Sequence, residues 1–379
     1  MSTRVSDSSK PVVAILTTSD RVKLFRGNRN NFRDIIRTGK EMGYLVYVVT
    51  VRDLKLEDKM VNGYVPSASG KLWYSIPVPL PQVIYNRIPN RKDEEKVPVA
   101  RKIAECLSHP EIQLYNPEFF NKWNLFEWLK ESKATSRHVP KTRRLRGPRT
   151  LAAMLAKHDG LYLKPESGKA GKGIMRIQYN EAAPLPFRLQ IQTGKKNATY
   201  KTASLDLLWN RVKREKGTSR YIVQQAIQLV HYHGRPFDLR ALLQKNGKGN
   251  WTVTGIGARL AGARSITTHV PRGGSVEEPV AMLEPTFGAD RTAAILQEVS
   301  TNALLLARQI ERGSQLTLGE MSMDLGVDEA GHLWFFEANS RPMKFDEPAI
   351  RKLSLERIFH YSQHLSRQTK DPLQRKQTP

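Results

Sequence analysis

The sequence predicts an α/β protein of two or three lobes that opens on a parallel sheet, and three observations carry that expectation. Residues 11–18 (PVVAILTT) and 44–51 (YLVYVVTV) are short, almost wholly apolar runs, as strands buried on both faces are. Between them, 28–43 (NRNNFRDIIRTGKEMG) spaces its apolar residues as a helix does, giving the strand-helix-strand order of a parallel sheet. From Val139 onward the texture changes to short strands separated by glycine-rich turns, so a differently built lobe begins there.

The remaining elements follow in order. Residues 53–81 are charged and then rich in Pro, Ser and Gly, which reads as irregular connection before a strand at 82–86. Helical spacing appears at 93–108 and 117–133, where Phe119, Phe120, Trp123, Phe126 and Leu129 make an apolar face suited to a core. One amphipathic helix is expected near 204–216. A hairpin joins 237–245 to 251–260, a helix covers about 290–312, and a last hairpin joins 320–327 to 332–338 around the turn 328–331. The tail from 366 is polar and basic and is expected to be disordered.

Composition bounds the function. With 379 residues, 39% of them hydrophobic, the chain can bury a large core. A net charge of +25 favours anionic partners, yet no zinc finger or RNP-type sequence is present, so no specific nucleic-acid partner is expected. The single cysteine, Cys106, allows neither an intramolecular disulfide nor a Cys-based zinc site and fits a reducing compartment. The start MSTRVSDSSK lacks an apolar signal region, and the longest apolar run, 44–49, is too short to span a bilayer; a cytoplasmic protein is expected.

Two segments carry chemistry. In 161–177 a lysine, Lys164, stands at a strand end, followed by Gly168, Gly171 and Gly173 and then a second strand. Glycines allow a tight loop whose N–H groups can turn toward phosphate oxygens, with Lys169 and Lys172 adding attraction. It is not a Walker A loop, since Gly173 follows Lys172 where Ser or Thr would stand, nor a dinucleotide fingerprint, since no helix follows. In the last hairpin, a loop at 328–331 would pair Val327 with His332 and set Asp324 opposite Phe335. Asp324, Glu337 and Asn339 would then share one face beside Arg341, while Met323, Leu325, Trp334 and Phe336 would face the core. Two carboxylates and an amide are hard oxygen ligands suited to Mg²⁺ together with phosphates and water.

With these segments in view, the chain resembles the ATP-grasp superfamily, and within it the spore-coat-associated YheC/YheD-like group. The resemblance rests on YNRIPNR at 85–91, NKWNLFEWL with Lys122, VPKTRRL at 139–145, LKPESGKAGKGI at 163–174, YIVQQAI at 221–227, FDLRALLQK, the RGG at 272–274 and the closing MDLGVDEAGHLWFFEANSRP. It implies an α+β ATP-grasp fold: an N-terminal pre-grasp domain at 1–115, a linking helix and small lobe at 116–222, a C-terminal lobe with the metal site at 223–365 and a basic tail at 366–379. By that likeness Lys122 and Lys164 would contact the ATP phosphates, and the loop with Ser167, Gly168, Gly171, Lys172 and Gly173 would close over them. Gln224, Gln225, Ala226 and Ile227 would form the hinge along the adenine. Asp238 and Arg240 hold the DxR position of ribose or substrate contacts, Arg259 and Arg272 would lie near the transferred phosphate and the substrate, and Asp324, Glu337 and Asn339 would hold Mg²⁺. The hinge departs from many relatives in carrying Gln224-Gln225 where they have an acid, and Asp238 replaces a longer Glu.

The implied activity is an ATP- and Mg²⁺-dependent carboxylate–amine or thiol ligase acting through an acyl phosphate, linked to the spore coat or cell envelope. Its partners would be ATP, an unidentified carboxylate and amine, and a coat or peptide partner. The rival is a structural coat-associated protein that binds nucleotide without turnover. His231, Tyr232 and His233 line an acceptor pocket or cap a surface turn.

Overall fold

A computed structural model describes residues 10–368 except 169–170, 194–195, 264, 267 and 269–272. Its first sheet is built from β1 (Val13–Thr17), β4 (Val46–Thr50), β5 (Met60–Pro66), β6 (Trp73–Pro79), β7 (Val83–Asn86) and β8 (Gln113–Tyr115). A short hairpin, β2 (Ser19–Asp20) and β3 (Leu24–Phe25), precedes α1 (Arg29–Glu41); α2 (Arg91–Glu94) and α3 (Val97–Ser108) precede β8. The order is β6-β5-β4-β1-β7-β8, parallel from β4 through β8 and antiparallel at β5 and β6. Every residue of β1 and β4 is buried, which is why both read as unbroken apolar runs.

The reading of 53–81 as irregular connection is corrected here, because β5 and β6 pair as a hairpin at the edge of this sheet. Pro77 and Pro79 suggested a loop, but an outermost strand has no neighbour requiring their missing N–H groups, while Val61 and Val78 pack into the core on one face and Trp73 into that on the other.

After α4 (Lys122–Lys130) and α5 (Lys133–Ser136) comes an antiparallel second sheet. It contains β9 (Thr142–Arg144), β10 (Gly160–Pro165), β11 (Met175–Tyr179), β12 (Phe187–Thr193), β13 (Lys196–Thr202) and β14 (Tyr221–Gln225), in the order β13-β12-β11-β10-β14-β9. Helices α6 (Pro148–Leu155), which the sequence did not reveal, and α7 (Leu205–Lys216) cover one face through Leu151, Met154, Leu208 and Val212. The opposite face, with Tyr162, Lys164 and Gln224, looks away from them.

The third sheet has β16 (Arg235–Lys245), β17 (Trp251–Leu260), β18 (Ser275–Glu277), β19 (Glu320–Val327) and β20 (Leu333–Asn339) in the order β18-β17-β16-β19-β20, with β15 (His231–Tyr232) beside β16. Its apolar face packs on α4 and on α8 (Pro279–Ser314), the largest core, containing Phe126, Phe237, Phe335, Ile295 and Leu306. Helix α8 starts earlier than expected and bends at Gly288, whose φ of 73° interrupts the helix just after Pro285. Helix α9 (Pro348–Ser366) turns back to the first sheet, where Leu355, Ile358 and Phe359 join Val13, Ile35 and Val46 in one core. Gly39 permits that close approach of α1 and α9: a Cβ there would lie 2.5 Å from the Phe359 ring. Among the described residues no helix is long and apolar enough to cross a membrane.

Candidate nucleotide and metal site

The second and third sheets turn their polar faces to a common cleft, and α4 points its first residue into it. Asn121 caps this helix, its side chain accepting from the backbone N–H groups of Trp123 and Asn124. The Lys122 N–H donates to the Glu166 carbonyl at 3.2 Å, tying the helix start to the end of β10. So fixed, Lys122 places Nζ 2.5 Å from Glu337 Oε1 with little solvent on either group.

Lys164 extends from β10 on the face opposite Leu161 and Leu163. Its Nζ donates to Gln224 Oε1 at 2.6 Å, and the rings of Tyr162 and Phe336 lie 5.7 and 5.4 Å from it. Gln224 is buried and its amide donates to Thr142 Oγ1 at 2.9 Å, while that hydroxyl donates to the Pro140 carbonyl. The side chain expected along the adenine is thus committed to the lysine. Burial lowers the Lys164 pKa to about 8; the charge of Lys122 works in the same direction, and Glu337, Asp324 and Asp238 oppose it.

On the third sheet, register brings the acids and arginines together. Asp238 lies directly opposite Arg259, and Arg240 opposite Asp324. The Arg259 guanidinium grips Asp238 with two bonds of 2.9 Å and reaches Asp324 Oδ2 at 2.8 Å. Thr268 also donates to Asp238. Burial disfavours the arginine's charge, but the two carboxylates more than compensate and raise its pKa. Arg240 makes no ion pair among the described residues; it donates to Ser322 Oγ at 3.4 Å and stacks 5.3 Å from the Phe345 ring.

The expected register of the last hairpin is corrected by a turn one residue longer, 328–332, and by one bulge. Val327 pairs with Leu333, Leu325 with Phe335 and Asp324 with Glu337, so Phe336 is the extra residue. Phe335 is fully buried, whereas Trp334 and Phe336 turn to the half-buried cleft side. Three successive aromatics cannot alternate faces and all be core, and the bulge resolves this while setting the two carboxylates side by side. Asn339 stands opposite Ser322 on the same face. Arg341 does not belong to this site: it is buried against Glu94 at 2.6 Å and donates to the carbonyls of Ile88, Asn116 and Pro117, at the junction with the first sheet.

In the glycine loop, Gly171 and Gly173 have φ of 68° and 77°, and the Gly173 carbonyl accepts from Tyr221 Oη at 2.9 Å. Ser167, Gly168 and Lys172 are exposed. Half-buried Gln225, Ala226 and Ile227 leave the second sheet; the N–H of Gln225 donates to Lys141 and that of Ala226 to Gly160, and Val230 bonds Val327 on the third sheet. Arg272 lies outside the described residues. His231, in β15, and His233, in the turn between β15 and β16, are both exposed, as the surface-turn alternative has them. Thr142, Glu166 and Thr268 escaped sequence reasoning; Glu166 at least lay inside the LKPES segment, but nothing local marks the two threonines.

The donor set suits Mg²⁺ only in company. Among the described residues no three His, Cys, Asp or Glu side chains are arranged to hold a metal. Asp324 and Glu337, adjacent and carboxylate in type, match an ion that takes one or two protein carboxylates and completes its shell with phosphate and water. Their present partners, Arg259 and Lys122, show that the face stabilises positive charge.

Two sheets closing on a lysine- and carboxylate-lined cleft, behind a parallel-sheet domain, define an ATP-grasp protein. More narrowly, the chain belongs to the YheC/D-like ATP-grasp family, whose profile matches residues 111–365. It is 28% identical to the endospore coat-associated protein YheD of Bacillus subtilis (strain 168), over 94% of this chain and 79% of that protein. It is 18% identical to YheC of the same organism, over 82% and 84%. Solved structures of similar fold include the ATP-grasp ligase PsnB complexed with minimal precursor, at TM-score 0.52 and 14% identity over 92% of this chain and 98% of that one. D-alanyl-alanine synthetase A from Vibrio cholerae matches at 0.51 and 12%, over 94% and 96%.

Proposed function

We propose that this chain is an ATP- and Mg²⁺-dependent ligase that activates a carboxylate as an acyl phosphate and passes it to an amine or thiol. The observation that carries the reading is the set of three cations and three carboxylates, Lys122, Lys164 and Arg259 with Asp238, Asp324 and Glu337, gathered on facing elements of one cleft. The cations match a polyphosphate and the acids a divalent ion.

When bound, Mg-ATP supplies the transferable phosphoryl group and screens its charge. Lys122 and Lys164, now on Glu337 and Gln224, would hold the phosphate oxygens, and Glu337 with Asp324 would hold the metal. Arg259, aimed by Asp238, stabilises charge developing on the group in transfer, and Arg240, with no acidic partner among the described residues, orients the acid. Ser167, Gly168, Gly171, Lys172 and Gly173 form the lid that excludes water from the acyl phosphate, while Gln225, Ala226 and Ile227 border the base. By the same reading Arg272 would contact the substrate, and Asn339 would join Asp324 and Glu337 as a metal ligand. PsnB and the D-alanyl-alanine synthetase are named as a ligase and a synthetase, which supports turnover. YheD and YheC are named for the endospore coat, which points to a coat or envelope substrate and keeps the non-catalytic scaffold as the rival.

Hydroxylamine trapping decides between them. ADP release that depends on an added acid, with hydroxamate formed when hydroxylamine replaces the amine, is the expected result. Tight Mg-ATP binding with neither product across a broad panel of acids would establish the scaffold.

A further inference from the structure

Charge is distributed unevenly along this chain. Residues 137–220 carry 20 Lys and Arg against 5 Asp and Glu, so this 84-residue stretch holds +15 of the net +25. Much of the excess converges on one corner of the second sheet. The β9–β14 ladder pairs Arg144 with Ile222, and the next bond runs from Leu145 N–H to the Tyr221 carbonyl, so Arg146 and Arg220 follow opposite each other at its end. Helix α6 begins there with Arg149, and α7, packed against α6 and carrying Lys213 and Arg214 in its last turn, ends at Lys216, just before Arg220. Lys172 joins from the glycine loop, which Tyr221 Oη holds through Gly173.

These side chains and Arg143 are exposed, and among the described residues none of them makes an ion pair. Their neighbours differ: Arg144 is paired with Glu166 and lies over Trp123, and Arg211 is paired with Glu215. The fold therefore pairs Arg144 and Arg211 with acids and leaves the corner uncompensated among the described residues. Like charges set opposite on adjacent strands repel, a cost that an anionic partner removes.

We propose that this corner docks an acidic polypeptide segment and that the carboxylate activated in the cleft is carried on that polypeptide. The second clause rests on the ligase reading; the docking does not. The corner borders the cleft on its glycine-loop side, so a chain lying on it leads toward Lys164. A polypeptide brings the carboxylates such a centre needs, and a nucleic acid brings none. The aromatic rings described near the corner are poor stacking platforms for bases: Tyr221 is buried, Trp123 is already covered by Arg144, and half-buried Trp209 packs on the core under α7.

Fluorescence anisotropy with a labelled Glu-rich peptide, a Gln-rich control of equal length and an oligothymidylate of equal charge tests this on the full chain without ATP. The Glu-rich peptide should bind, the control should not, and affinity should fall between about 50 and 200 mM salt. The Arg146→Glu, Arg149→Glu, Arg220→Glu variant should lose roughly tenfold or more while keeping its Mg-ADP affinity. If that variant does not fold, Lys213→Glu with Arg214→Glu on the solvent side of α7 decides instead. Absence of peptide binding, unchanged affinity in the variants, or oligothymidylate binding as tightly as the peptide would overturn the docking. Docked peptide that yields no hydroxamate while a small acid does would overturn the peptide-borne carboxylate alone, and hydroxamate from neither would overturn the ligase reading.

Discussion

Replacing Lys164 with Met tests the electrostatics of the cleft where they are most demanding. Its ammonium is packed between Gln224, Tyr162 and Phe336, and burial takes its pKa from 10.5 to about 8. A fall of that size is worth about 3 kcal/mol, the cost of holding the empty cleft's lysine protonated at neutral pH. The unfolded chain keeps the proton up to about 10.5 and the folded chain only to about 8. Between those values the unfolded state binds more protons, so the wild type gains stability as pH rises through the window. Below about pH 8 the full penalty remains. Lys164→Met lacks the penalty and should be the more stable protein at pH 7 by up to about 3 kcal/mol, with the gap closing between pH 8 and 10.5. It should also bind Mg-ATP poorly, and wild-type affinity should decline by up to roughly tenfold per pH unit above about pH 8, because phosphate requires the charged form. Urea unfolding of both proteins at a series of pH values measures the gap. Curves that run parallel, or a gap that widens with pH, would refute the placement of this lysine.

Three further outcomes follow from the same contacts. Gln224→Met, which keeps the shape but removes the acceptor that Lys164 gives up for phosphate, should tighten Mg-ATP binding while leaving adenosine binding unchanged by calorimetry, whereas Gln224→Glu, a stronger competitor for the lysine, should weaken it. Asp324→Asn and Glu337→Gln should each remove the Mg²⁺ dependence of nucleotide affinity without unfolding the protein; unchanged affinity in both would remove them as ligands. Arg341→Met should cost about 3–5 kcal/mol in urea unfolding by stranding Glu94 and three carbonyls, and should touch nucleotide binding only through stability.

The sequence was legible where one face of an element dictated its composition. The buried β1 and β4, the hairpin of β16 and β17 and the aromatic face of α4 all announced themselves through period or apolar continuity. It was opaque where a residue's role is set by a neighbour distant in sequence. Phe336 gave no sign that it would be the bulged residue, since only the demand to bury Phe335 beside Phe126 decides the register. Gln224 sits where the hinge was expected, yet its side chain is claimed by Lys164, 60 residues away, and Thr142, 82 residues away. Arg341 stands two residues from Asn339 and faces the other way, because Glu94 and the 116–117 carbonyls hold it.

Helix α9 lends Leu355, Ile358 and Phe359 to a core otherwise built from the first parallel sheet and α1. During synthesis the N-terminal strands therefore leave the ribosome with one flank uncovered. About 250 residues must follow before α9 can seal it, and at about 5–20 residues per second that is a wait of roughly 10 to 50 seconds. The opening domain is thus completed last, and a chain cut short before residue 348 would present its oldest folded part as an exposed apolar face to chaperones and proteases.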